Sequence, residues 1–138
     1  MSMPYRMNVF VDDDRKVMVL RVIGPMPGPE YAERLFEAYA GVPDAWNYAR
    51  LMDFRRFDGM IGFDDVETIV ERWNAITAGI DYHSKVAVVS IDPLDGVRVP
   101  AVSPQFPNET LCHFRDFHEA MDWLTATDAD GEARALAG

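Results

Sequence analysis

Apolar residues recur along this chain with two different periods. Met7, Val9 and Val11 alternate with Asn8 and Phe10, and residues 17–23 are almost continuously apolar, so both stretches read as strands. The polar Asp13-Asp14-Arg15-Lys16 between them is too short for a crossover, which predicts an antiparallel hairpin. Gly24-Pro25-Met26-Pro27-Gly28 then breaks regular structure. Pro29-Glu30 supplies a helix start, with φ already set and negative charge at the positive end of the dipole. Tyr31, Leu35, Phe36 and Tyr39 give that helix one apolar stripe, and Gly41-Val42-Pro43 ends it.

A third strand is expected over residues 50–54. Asp64 with Glu67 has capping-box spacing ahead of a second helix, in which Val66, Ile69, Val70, Trp73 and Ile76 share a face and Gly79 is the expected stop. Residues 86–91 are apolar on both faces, the pattern of a strand covered on each side, which predicts the centre of the sheet there. Residues 110–114 read as the last strand. Asp116 and Glu119 repeat the capping spacing before Phe117, Ala120, Met121 and Leu124. The order β-β-α-β-α-β-connector-β-α predicts a single α/β domain over residues 5–125. Its five-stranded sheet is mixed but mostly parallel, with an antiparallel first strand and helices packed on it. Residues 126–138, with almost no large apolar side chain, are expected to form a flexible tail. The connector over residues 92–108 carries Pro93, Pro100, Pro104 and Pro107 and shows no sustained helical period. A connector of that length is a short irregular helix, a lid or a binding loop.

Composition narrows the function classes. The 138 residues are 49% hydrophobic and 26% charged, the make-up of a globular domain. A net charge of -10 repels phosphate backbones and anionic headgroups, which argues against nucleic acid and gives no support to peripheral membrane contact. The lone Cys112 and the polar N-terminal segment favour a cytoplasmic protein.

The strand ending Val22-Ile23-Gly24-Pro25-Met26, the helix over residues 31–39, the strand Leu51-Met52-Asp53-Phe54-Arg55 leading to Phe57-Asp58-Gly59, the strand over residues 85–89, and the closing Phe114-Arg115-Asp116-Phe117-His118-Glu119-Ala120-Met121-Asp122-Trp123-Leu124 resemble the SpoIIAA-like family. That family is grouped with STAS domains, and its shape is likened to CRAL-TRIO lipid carriers. The resemblance implies the α/β architecture already read from the pattern. It implies either uptake of a small nonpolar molecule or a protein-interaction role. Anti-sigma-factor antagonists of the STAS group are switched by phosphorylation of a serine that begins the helix after the strand holding Asp53. Between Leu51 and Tyr82 the hydroxyl side chains are Thr68, Thr77 and Tyr82, with no serine, so that switch does not transfer. Relatives continue with a helix where this chain has its Pro-rich connector.

Ligands of open α/β sheets sit beyond the carboxyl ends of the parallel strands, which directs attention to residues 24–28, 55–63 and 92–108. These loops are unusually apolar and could extend the core, meet a second copy of the chain or line a pocket. The ligand-site candidates are Met26, Phe57, Met60, Ile61, Phe63, Val99 and Phe106. Arg56, together with Arg55 and Arg98, is placed to meet a carboxylate or phosphate head, the alternative being ion pairs with Asp53 and Asp58. No catalytic residue, metal or cofactor is expected. Ser90, Ser103 and Cys112 lack a nucleophile elbow, His113 and His118 are five residues apart, and no glycine-rich phosphate loop occurs. The leading reading is a non-catalytic carrier or sensor for a nonpolar or amphipathic molecule. The alternative is a homodimeric interaction module.

Overall fold

The computed structural model describes residues 4–126. Strand β1 (Arg6–Asp12) and β2 (Val17–Gly24) form the antiparallel hairpin, its turn closed by Asp12, whose carboxylate accepts from the backbone N–H of Asp14 and Arg15. There follow α1 (Gly28–Ala40), β3 (Ala49–Phe57), α2 (Phe63–Ile76), β4 (Ser84–Val89), α3 (Asp95–Val102), β5 (Glu109–Phe114) and α4 (Phe117–Thr125). β2, β3, β4 and β5 pair in parallel, and the strands lie in sequence order across the sheet. Right-handed crossovers that advance in one direction across a sheet all leave their helices on the same face. Accordingly α1 and α2 pack with Met18, Leu20, Val22, Met52 and Val86 in one core. Only α4, after the last strand, reaches the opposite face, where Ala120 and Leu124 join Val17, Leu51, Ala87 and Val89.

The strand order places β3 at the centre of the sheet, not the strand over residues 86–91. β4 is apolar on both faces because α4 covers one side and the α1–α2 layer the other, which an interior position one strand from the edge already requires. The start of α2 also differs from the capping box expected at Asp64 and Glu67. Gly62 is the N-cap, and it is Asp65 whose carboxylate accepts from the Gly62 N–H at 2.8 Å. The helix ends at Ile76 with Thr77 as its cap, three residues before Gly79, which sits at φ +77° in the following turn. At α4 the expected cap holds, with the Asp116 side chain accepting from the His118 N–H.

The Pro-rich connector is more regular than its composition suggests. Pro100 falls in the last turn of α3, and Pro104 sits in the first turn of the 3-10 segment Ser103–Gln105, where a missing N–H costs little. Of the alternatives its length allowed, the connector takes the form of a short helix followed by a 3-10 turn. Of the expected tail, residues 127–138 lie outside the described residues. No helix among the described residues is long and apolar enough to cross a membrane.

Candidate functional site

The layer between the sheet and α1–α2 is packed around a gap rather than filled throughout. A cleft of about 570 Å³ runs between β3–β4–β5 and the layer of α1, α2 and α3, a size within the range of small-molecule sites. It extends along β3 from Arg50 to Phe57, or roughly 23 Å at about 3.3 Å per strand residue. The walls are aromatic and aliphatic. Tyr31 meets Phe54 edge-on with ring centroids 5.5 Å apart, and Tyr39 meets Trp73 at 4.9 Å. Burial pushes the Tyr31 and Tyr39 phenols above their ordinary value. Met52, Val86, Val88, Val99, Val102 and Leu111 complete the apolar lining.

At the inner end lies an ion pair. Arg50 on β3 and Glu109 at the start of β5 contact each other directly, with side chains 2% and 4% exposed. The same guanidinium donates from Nη2 to Ser84 Oγ at 3.1 Å and from Nη1 to the Tyr39 hydroxyl at 3.4 Å. Its Cζ lies 4.3 Å from the Trp73 ring centroid, within cation–π range, while Trp73 Nε1 donates to the Tyr82 hydroxyl at 3.0 Å. Arg50 Nε is the one buried side-chain polar atom among the described residues with no partner.

At the outer end the β4–α3 junction is tied by side chains. Ser90 Oγ donates to Asp95 Oδ2 at 2.6 Å, and His113 Nε2 lies 3.0 Å from the same oxygen. The set has the membership of a catalytic triad but not its order. The serine stands in the middle with its single proton given to the carboxylate, so Nε2 must itself carry a proton to bond Oγ and is not placed as a base toward it. The group fastens α3 across the outer end of the cleft.

The sequence-predicted residues divide. Phe57, Met60, Ile61, Val99 and Phe106 line the cleft. Met26 is fully buried in the core, because the 24–28 loop lies against the β3–α2 loop so closely that a Cβ on Gly59 would collide with the Met26 carbonyl. Phe63 stands outside, 77% exposed, and Arg56 is exposed and outside the lining. Two of the three arginines take the ion-paired alternative, Arg55 with Asp53 and Arg98 with Asp92 and Asp95, while Arg56 makes no ion pair among the described residues. Asp53 also receives Arg21. Burial raises the Asp53 carboxyl, but the hydrogen bonds from Arg55 and Arg21 outweigh it and hold the carboxyl below its usual range. Burial pushes the Cys112 thiol up, away from thiolate reactivity. Among the described residues no cluster of three or more His, Cys, Asp or Glu is placed to hold a metal.

Sequence reasoning read Trp73 and the tyrosines of α1 as core-facing stripes and named neither them nor Arg50 and Glu109 as site residues. The apolar ones carry the same helical period whether they fill a core or line a cavity. For the ion pair one signal was present, opposite charges near the N-terminal ends of two strands, but using it requires the strand order.

No family model matches the chain, and no curated protein matches it. Among solved structures, the chain is similar to an uncharacterized protein from the DUF3478 family of Shewanella loihica PV-4 with a SpoIIAA-like fold. The two are 19% identical, the match covers 90% of this chain and 98% of the other, and the TM-score is 0.57.

Proposed function

We propose, starting from the SpoIIAA-like fold that this chain has, that the protein is a non-catalytic carrier or sensor that takes up a small nonpolar or amphipathic molecule in the cleft under α3. The observation that carries the reading is the cleft itself. Interiors pack to the density of organic crystals and leave few voids larger than a water molecule, so about 570 Å³ lined by aromatic and aliphatic side chains is space that the protein's own residues do not use. Apolar walls stabilise a guest by removing its surface from water. Native mass spectrometry of protein purified without detergent tests it: a bound small molecule, or a thermal shift of delipidated protein with long-chain probes, is expected. A ligand present at 100 times its Kd should add about 2.7 kcal/mol of stability. No shift across a panel of long-chain acids, alcohols and isoprenoids would overturn the reading.

A second reading rests on a different observation. Met60 and Phe63 on the β3–α2 side stand 80% and 77% exposed, and Ile91, Leu94 and Val97 are also exposed around the β4–α3 junction. Apolar side chains grouped at one end of a domain suit contact with a second copy of the chain. Sedimentation velocity with the native chain and with Phe63→Lys discriminates: a dimer lost on substitution supports the interface, and a monomer at all concentrations removes it.

A further inference from the structure

The cleft's inner end carries information about what its guest must be. A guanidinium has five N–H donors. In Arg50 the Nη2 hydrogens go to Ser84 and Glu109, Nη1 makes a single contact stretched to 3.4 Å, and Nε makes none. The side chain is 2% exposed, so bulk water does not supply the missing partners. Buried donors are nearly always matched, and a guanidinium that lines the cleft with donors left over marks a place where an acceptor belongs. The charge at this spot is already balanced, because Glu109 is in direct contact with the guanidinium. A carboxylate brought here would leave one uncompensated negative charge out of water, whereas a neutral oxygen would not.

The outer end leads the same way. Arg55 and Arg98 are held by Asp53, Asp92 and Asp95, and Asp58 lies at the same mouth without an ion-pair partner among the described residues. Among the described residues that line the cleft, neither end offers an unpaired cation to an acidic headgroup.

We propose that the guest is an uncharged molecule with a long apolar body and one hydrogen-bond-accepting oxygen, a carbonyl, ester or hydroxyl, and that Arg50 receives that oxygen at the inner end of the cleft. This rests on the reading of the cleft as a binding site. It replaces an acyl carboxylate held by rim arginines with a neutral acceptor held at the floor.

The experiment uses the full chain, delipidated, with 1-decanol, 2-undecanone and sodium decanoate at pH 7.5, and reads dissociation constants from thermal shift and from intrinsic tryptophan fluorescence. Decanol and the ketone are expected to bind at least tenfold more tightly than decanoate. Decanoate binding as tightly as the alcohol overturns the neutral-guest proposal while leaving the cleft as a site, whereas failure of all three to bind overturns the cleft reading and the proposal with it. The paired replacement Arg50→Met with Glu109→Leu removes both charges at similar volume. Decanol is expected to lose about tenfold in affinity in that variant yet still bind, and an unchanged affinity overturns the role of Arg50. If that variant does not fold, Glu109→Gln supplies the readout. Leaving the guanidinium unbalanced should raise decanoate relative to decanol by tenfold or more, and an unchanged ratio overturns the proposal.

Discussion

Truncating Glu109 to alanine leaves the Arg50 guanidinium charged and without its counter-ion at the bottom of an apolar cleft. Both side chains are almost wholly removed from solvent, and Trp73 and Tyr39 lie against the guanidinium where water would have to enter. Removing one partner of such a pair costs about 3–5 kcal/mol, a large fraction of the roughly 5–15 kcal/mol that holds a domain folded. At a urea slope of about 2 kcal/mol/M the unfolding midpoint should fall by roughly 1.5–2.5 M. The corresponding drop in Tm is on the order of 10 °C for a domain of this size. Arg50→Met alone should cost a comparable amount through the buried carboxylate. The double replacement Arg50→Met, Glu109→Leu should recover most of the loss or exceed the parent, because neither side chain then needs solvation. Urea unfolding followed by far-ultraviolet circular dichroism on the four proteins gives the cycle. A loss below about 1 kcal/mol for Glu109→Ala, the scale of a surface pair, with no recovery in the double variant, would refute the view that this pair is dry.

Three other outcomes are expected. Ser90→Ala removes two hydrogen bonds, to Asp95 and to His113, of which the first ties α3, and at about 1 kcal/mol for that one, amide exchange in residues 92–106 should quicken roughly fivefold while β3 is unchanged; uniform exchange would show that α3 is held elsewhere. The raised phenols of Tyr31 and Tyr39 mean that the folded chain keeps protons which the unfolded chain releases. The stability they contribute is complete below the ordinary tyrosine value near 10 and is lost as pH rises above it, so Tyr31→Phe should blunt alkaline unfolding, read from the midpoint of a denaturation series between pH 9 and 12. Gly59→Ala places a Cβ against the Met26 carbonyl and the Phe57 ring, and should cost about 1–3 kcal/mol in thermal unfolding; a neutral result would show that the two loops are not in contact.

The local elements were readable because each is encoded over a few neighbouring residues. The hairpin followed from Asp13-Asp14-Arg15-Lys16 between apolar runs, α1 from Pro29 and its stripe at Tyr31, Leu35 and Tyr39, and the start of α4 from Asp116. Even the set of loops at the carboxyl ends of the parallel strands was accessible, since topology alone places them, and Phe57, Met60, Ile61, Val99 and Phe106 do face the cleft. Errors arose where one residue could serve two ends. Asp64 and Asp65 both suit a helix start, and the side chain that reaches the Gly62 N–H is Asp65. Pro104 is tolerated at the start of the 3-10 segment, whereas Pro100 lies inside α3 and removes one backbone hydrogen bond there without ending the helix.

Sequence alone determined the periods, and through them the elements, their order and the faces they bury, because burying an apolar stripe is a local demand of each segment. Tertiary structure decided the cleft. Whether Trp73 or Tyr39 fills space or borders it depends on the separation between α1, α2 and the sheet, and no stripe of hydrophobic residues encodes that distance. The pairing of Arg50 with Glu109, 59 positions apart, exists only because β4 separates β3 from β5 and its small Ser84 leaves room between them.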